Sequence, residues 1–165
     1  MGGYHHYNVL FLCTGNSARS ILAESLLEFW GEGRFGGFSA GSHPTGEVNP
    51  LAIELLREFG IDTMGLRSKS WDEFARPDAP KMDFVFTVCG KAAGETCPVW
   101  IGEPMKAHWG VEDPASAQGT KTERMDAFRM AFQTLEKRIK VFTSLPIALL
   151  SASAIQKELN EIGEM

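Results

Sequence analysis

The stretch VLFLCTGNSARSI, residues 9–21, constrains the fold of this chain more than any other. Residues 8–13 (NVLFLC) are a short apolar run rich in β-formers and bounded by a turn, so they read as a strand buried on both faces, as in a parallel sheet. Gly15 and Asn16 turn the chain. Ile21, Leu22, Ser25, Leu26 and Phe29 then recur at helical spacing over 19–30. A thiol, Cys13, sits where the strand gives way to the turn, and Arg19-Ser20 open the helix.

The remaining chain keeps this alternation. FGGFSAG (35–41) follows a Gly-rich break and reads as a second strand. Asn49-Pro50 is a helix start, with Asn as the cap and Pro at the first position, for a helix over 50–59 that Gly60 ends. SWDEFA (70–75) reads as a short capped helix, DFVFTVC (83–89) as the third strand and KAHWG (106–110) as the fourth. A long helix is expected over 120–142, with Met125, Phe128, Met130, Phe132, Leu135, Ile139 and Phe142 apolar. A last amphipathic helix over 151–162 carries Ile155, Leu159 and Ile162 on one face. The expectation is an α/β, three-layer sandwich: a four-stranded parallel sheet flanked by helices, in one domain over 1–165. Ligands of such sheets sit beyond the carboxyl ends of the strands. That edge would hold Cys13, Cys89 and the loop after HWG together.

The opening loop can be read chemically. Backbone N–H groups converging at a helix N-terminus make an anion cradle, and no GxxxxGK[ST] is present to make it a nucleotide loop. The helix dipole, the amides and the Arg19 guanidinium all favour thiolate over thiol, and such surroundings lower a cysteine pKa to roughly 3.5–7.5. Arg19 offers a planar fork to two oxygens of a tetrahedral oxyanion. A net charge of −5 argues against a general nucleic-acid binder. No apolar run approaches the ~20 residues of a membrane helix, and the N-terminus shows no secretory signal. Three cysteines without an export signal point to a reducing cytoplasm, where thiols are catalytic, metal-binding or buried.

Cys89 and Cys97 leave those alternatives open. With His108 they could bind zinc, but their C-x7-C spacing is not a zinc-knuckle pattern and no fourth ligand is evident, so no metal is expected. Both could be core residues. Gly90, Gly94 and Pro98 around them instead suggest a mobile loop. His43, Trp71, Trp100 and Trp109 read as packing or surface residues.

CTGNSARS resembles the signature loop of the low-molecular-weight protein tyrosine phosphatases and of the arsenate reductases sharing their flavodoxin-like fold: C-x5-R-S after the first strand and a late Asp-Pro pair, here Asp113-Pro114 in HWGVEDPA. The resemblance spans about 8–143 and leaves 144–165 as a helical extension. It implies that Thr14, Gly15, Asn16, Ser17, Ala18, Arg19 and Ser20 bind an oxyanion. It further implies that Asp113 is the general acid, that Ser20 stabilises the Cys13 thiolate and that Asn16 holds the loop's shape. Phosphatases of this type usually have aromatic residues after Asp-Pro and often a second cysteine in the loop; this chain has Ala115-Ser116 and Ala18. TVCGKAAGETCPVW instead resembles the reductases' redox segment, with a slightly longer gap between its cysteines. The resemblance therefore implies a monomeric arsenate reductase of arsenic detoxification, using Cys13, Cys89 and Cys97 as a disulfide relay. Thioredoxin, or glutaredoxin with glutathione, would regenerate it, with no cofactor, and phosphate or sulfate would act as substrate analogues. The alternative is a phosphatase using Cys13, Arg19 and Asp113 alone.

Overall fold

Four strands lie in the order β2-β1-β3-β4 with every neighbouring pair parallel: Tyr7–Cys13 (β1), Phe35–Gly41 (β2), Phe84–Thr87 (β3) and Met105–His108 (β4). The computed structural model describes residues 5–90, 94, 98 and 100–165. Among these, the helices are Arg19–Gly31 (α1), Pro50–Glu58 (α2), Lys121–Thr143 (α3) and Ala152–Gly163 (α4), with 3-10 turns at Trp71–Phe74, Pro114–Ser116 and Ile147–Leu149. This is the expected parallel sheet with helices packed against it. No helix among the described residues is long and apolar enough to cross a membrane.

The near-continuous apolar character of β1 follows from its two buried faces. Val9 and Phe11 point into one cluster with Phe84, Phe86, Trp109 and Phe142; Leu10 and Leu12 point into another with Val85, Phe74, Met82 and Trp100. The helices start where local chemistry starts them. Asn49 accepts a hydrogen bond from the Leu51 N–H ahead of Pro50, and Thr120 with Glu123 forms a reciprocal capping box.

Two strands end earlier than expected. β3 ends at Thr87, although Val88 still donates to Leu12 O of β1 and accepts from the Val111 N–H. β4 ends at His108 because Trp109 drops its ring into the core, stacking on Phe86 at 4.0 Å between centroids. Residues 70–75 hold the expected short capped helix, a 3-10 turn over Trp71–Phe74 capped by the Ser70 side chain.

From β1 the chain goes to β2 on one side and returns to β3 on the other. The crevice where those connections diverge lies at the carboxyl ends of β1 and β3, which is where sheets of this kind bind ligands. Cys13 ends β1, and Cys89 follows β3.

Candidate active site

The loop after Cys13 is held from outside. The His43 N–H donates to Thr14 O, the Thr45 N–H and the Ser68 hydroxyl to Gly15 O, and the Asn49 N–H to Ser17 O. With those carbonyls committed outward, the amides are the groups left for the cavity. α1 starts from Ala18, whose side chain cannot cap it, so the first-turn N–H groups keep their capacity for an anion. β2 passes close behind. A Cβ on Gly41 would overlap Thr14 O and lie 2.9 Å from Cys13 O, so that strand end tolerates no side chain.

Asn16 pegs the loop from inside. It is fully buried in the left-handed region at φ 46, which Asn tolerates better than most residues. Its Nδ2 donates to Ser20 Oγ at 2.8 Å and Ser39 Oγ at 3.0 Å, and its Oδ1 accepts from the Lys69 N–H at 2.9 Å. Ser20 thus accepts from Asn16 and keeps its own hydroxyl proton to donate. Behind this peg Ser39 donates to Glu24, and the Lys69 ammonium lies 3.9 Å from the same carboxylate and donates to Arg67 O. Burial pushes the Glu24 carboxyl up and the Lys69 ammonium down, each opposed by the other's charge. Glu24, Ser39 and Lys69 were invisible to sequence reasoning because they lie on three separate segments and carry no motif. Asn16→Ala is expected to cost about 3 kcal/mol, since it strands several buried partners and puts alanine at positive φ. Chemical denaturation measures this as a lowered midpoint.

Arg19 opens α1 and is mostly buried. Its Nη1 donates to Val111 O at 3.0 Å, and its Nη2 lies 3.8 Å from Asp113 Oδ2. One arm of the expected fork is thus committed to the Asp113 loop, so the guanidinium ties that loop to the anion cradle. Asp113 caps the Pro114–Ser116 turn by accepting from the Ala115 N–H at 3.0 Å. Its other oxygen faces Arg19, and its side chain keeps 43% of its exposure, as a proton donor to a bound ligand requires.

Cys13 and Cys89 are side by side, 5% and 3% exposed, with their sulfurs hydrogen-bonded to each other. Thr14 Oγ1 lies 3.6 Å from Cys89 Sγ. The thiolate expected at Cys13 is not the state this arrangement favours. The hydrogen bond with Cys89 and then burial push the Cys13 thiol well up, while Arg19 and the Thr14 backbone pull it down less strongly. Two adjacent sulfurs resist holding two charges, so the second cysteine sets the ionisation of the first. Cys89→Ala is expected to move the midpoint of Cys13 alkylation by iodoacetamide to lower pH by about one unit or more, measured with Cys97 also replaced. Cys97, the third cysteine of the expected relay, lies outside the described residues.

Cys13 through Arg19, Thr45, Cys89, Gly90, Asp113 and Ala115 line one cavity of about 400 Å³. A larger one, about 510 Å³, lies between α1 and residues 60–66 and holds none of the nucleophiles. The chemistry therefore locates the site better than size does. The cavity pairs an anion cradle with two sulfurs in contact, a cation and a carboxyl group at its mouth. Such a set can bind a small tetrahedral oxyanion, attack its central atom and protonate the oxygen that leaves.

The family described as low molecular weight phosphotyrosine protein phosphatase matches residues 8–160. Among known proteins, the arsenate reductase of Halalkalibacterium halodurans is 39% identical over 138 residues, covering 81% of this chain and 93% of that protein. Among solved structures, an arsenate reductase in the phosphate binding state superposes with a TM-score of 0.68 at 28% identity, covering 84% of this chain and 97% of that one. The thioredoxin-dependent arsenate reductase of Corynebacterium glutamicum gives a TM-score of 0.56 at 25% identity, covering 83% of this chain and 63% of that one.

Proposed function

The chain belongs to the low molecular weight phosphotyrosine protein phosphatase family, and from that premise we propose that it is an arsenate reductase working through a disulfide relay. The observation that carries the reading is the contact between the Cys13 and Cys89 sulfurs in the cavity of Arg19 and Asp113. A phosphatase needs one sulfur there; a reductase needs two.

Arsenate settles on the loop amides and the free arm of Arg19. Its oxygens take over the hydrogen-bonding environment, the Cys13 proton passes to an arsenate oxygen and the sulfur attacks arsenic. Asp113 protonates the departing oxygen, which leaves as water. Cys89, as thiolate, then attacks Cys13 Sγ. The electron pair of the arsenic–sulfur bond passes to arsenic, arsenite departs and a Cys13–Cys89 disulfide remains. Cys97 attacks Cys89, returning Cys13 to the thiolate and handing the disulfide to an external dithiol. The thioredoxin-dependent C. glutamicum relative supports a protein dithiol as donor; glutaredoxin with glutathione is the other candidate. Ala115 at the cavity rim leaves no aromatic wall for a phenyl ring, which supports the small-anion substrate.

The test is arsenate-dependent NADPH consumption with the thioredoxin system and, separately, with glutaredoxin and glutathione. Turnover with one of them is expected. Hydrolysis of p-nitrophenyl phosphate with no reductant consumption in either system would replace this reading by the phosphatase one.

A further inference from the structure

We propose that α4 and Arg138 form a positioning device for Asp113, clamping the start of the loop that carries it. The inference rests on the reading of Asp113 as the general acid.

β4 is an edge strand, with β3 on one side alone. An edge ordinarily leaves the loop after it loosely anchored. Here α4 reaches that strand and the first residues beyond it at successive points. Gln156 Nε2 donates to Lys106 O at 2.8 Å, and the Trp109 indole N–H donates to Leu159 O at 3.0 Å from a fully buried ring. At the end of the helix, Gly163 lies against the strand end: a Cβ there would sit 2.6 Å from His108 O and 3.0 Å from the Trp109 ring. Arg138 on α3 completes the clamp. It is 5% exposed, and it donates to Gly110 O at 3.0 Å and Met165 O at 3.2 Å, joining the loop to the residue two beyond α4. Its Nε has no hydrogen-bond partner, and burial pulls its pKa down. A buried guanidinium held by two carbonyls is a costly choice for packing alone, but a suitable one for fixing two backbone segments at once.

The clamped residues lead directly to the chemistry. Gly110 precedes Val111, whose N–H donates to Val88 O beside Cys89 and whose carbonyl accepts from Arg19; Asp113 follows after Glu112. Movement at Gly110 therefore displaces the Asp113 carboxyl group relative to Arg19, which is rooted in α1. The anion cradle, pegged separately by Asn16, stays where it is.

Gly163→Val forces the helix end away from His108 O. Trp109→Phe keeps the stacked ring but loses the bond to Leu159. Arg138→Lys keeps the charge with a single donor head, and Arg138→Met keeps neither. Four readouts separate the clamp from general stability: kcat and KM for arsenate, protection of Cys13 from alkylation by inorganic phosphate, amide exchange over residues 110–116, and the melting temperature. For Gly163→Val and Arg138→Met, kcat is expected to fall about 10- to 100-fold, with phosphate protection within about twofold of wild type and faster exchange at Ala115. Trp109→Phe is expected to give a smaller loss of the same kind, and Arg138→Lys a partial rescue relative to Arg138→Met. Folded variants whose exchange over 110–116 matches wild type, or whose kcat and phosphate protection fall together, would overturn the clamp. If the wild-type chain proves not to reduce arsenate, exchange and phosphate protection still decide the matter, so the two readings fail separately.

Discussion

Cys13→Ser is expected to abolish arsenate turnover, by at least about 10⁴-fold, because it removes the nucleophile that every later step depends on. The two downstream cysteines should fail in different ways. Without external reductant, Cys97→Ser should release one arsenite per chain and stop, having gained a Cys13–Cys89 disulfide. Cys89→Ser should release none, since nothing then attacks Cys13 Sγ. Intact mass shows the difference directly: the Cys97 variant becomes two hydrogens lighter after arsenate, and the Cys89 variant does not. If Cys89→Ser still released a full equivalent of arsenite, the sulfur contact seen in the cavity would not be the route of electrons. All three variants should retain phosphate binding, because the cradle is built from backbone amides and Arg19.

Asp113→Asn is the second large effect. Asparagine keeps an oxygen able to accept from the Ala115 N–H, so the Pro114–Ser116 turn survives while the transferable proton is lost. The expected result is a fall in kcat of about 10²–10³-fold, in the range for loss of a general acid, with KM for arsenate nearly unchanged. A variant retaining the wild-type rate would remove Asp113 from the mechanism.

The parts of this molecule legible in its sequence are those whose cause is local. An apolar run ending in a turn and a helix can be read from residues 8–30, and caps at Asn49 and Thr120 are short-range chemistry. Cys13, Arg19 and Asp113 were found through a motif, and the parallel sheet brought them into one cavity. What was not legible depended on distant segments meeting. The Cys13 ionisation depends on a sulfur from β3's far end, which a local view of the loop misses. The web around Asn16 was hidden because it joins Ser20, Ser39 and Lys69 from separate segments. β4 ended early where Trp109 was drawn to the Phe86 ring, a tertiary demand that no local pattern reports.

The buried peg at Asn16 has one further consequence. It sets the loop amides before any anion arrives. Under the proposed relay, arsenate and phosphate, alike in charge and nearly so in size, would meet the same cradle, and discrimination would come at the attack of Cys89 on sulfur. An arsenic centre accepts the electron pair and departs, whereas a phosphorus centre does not.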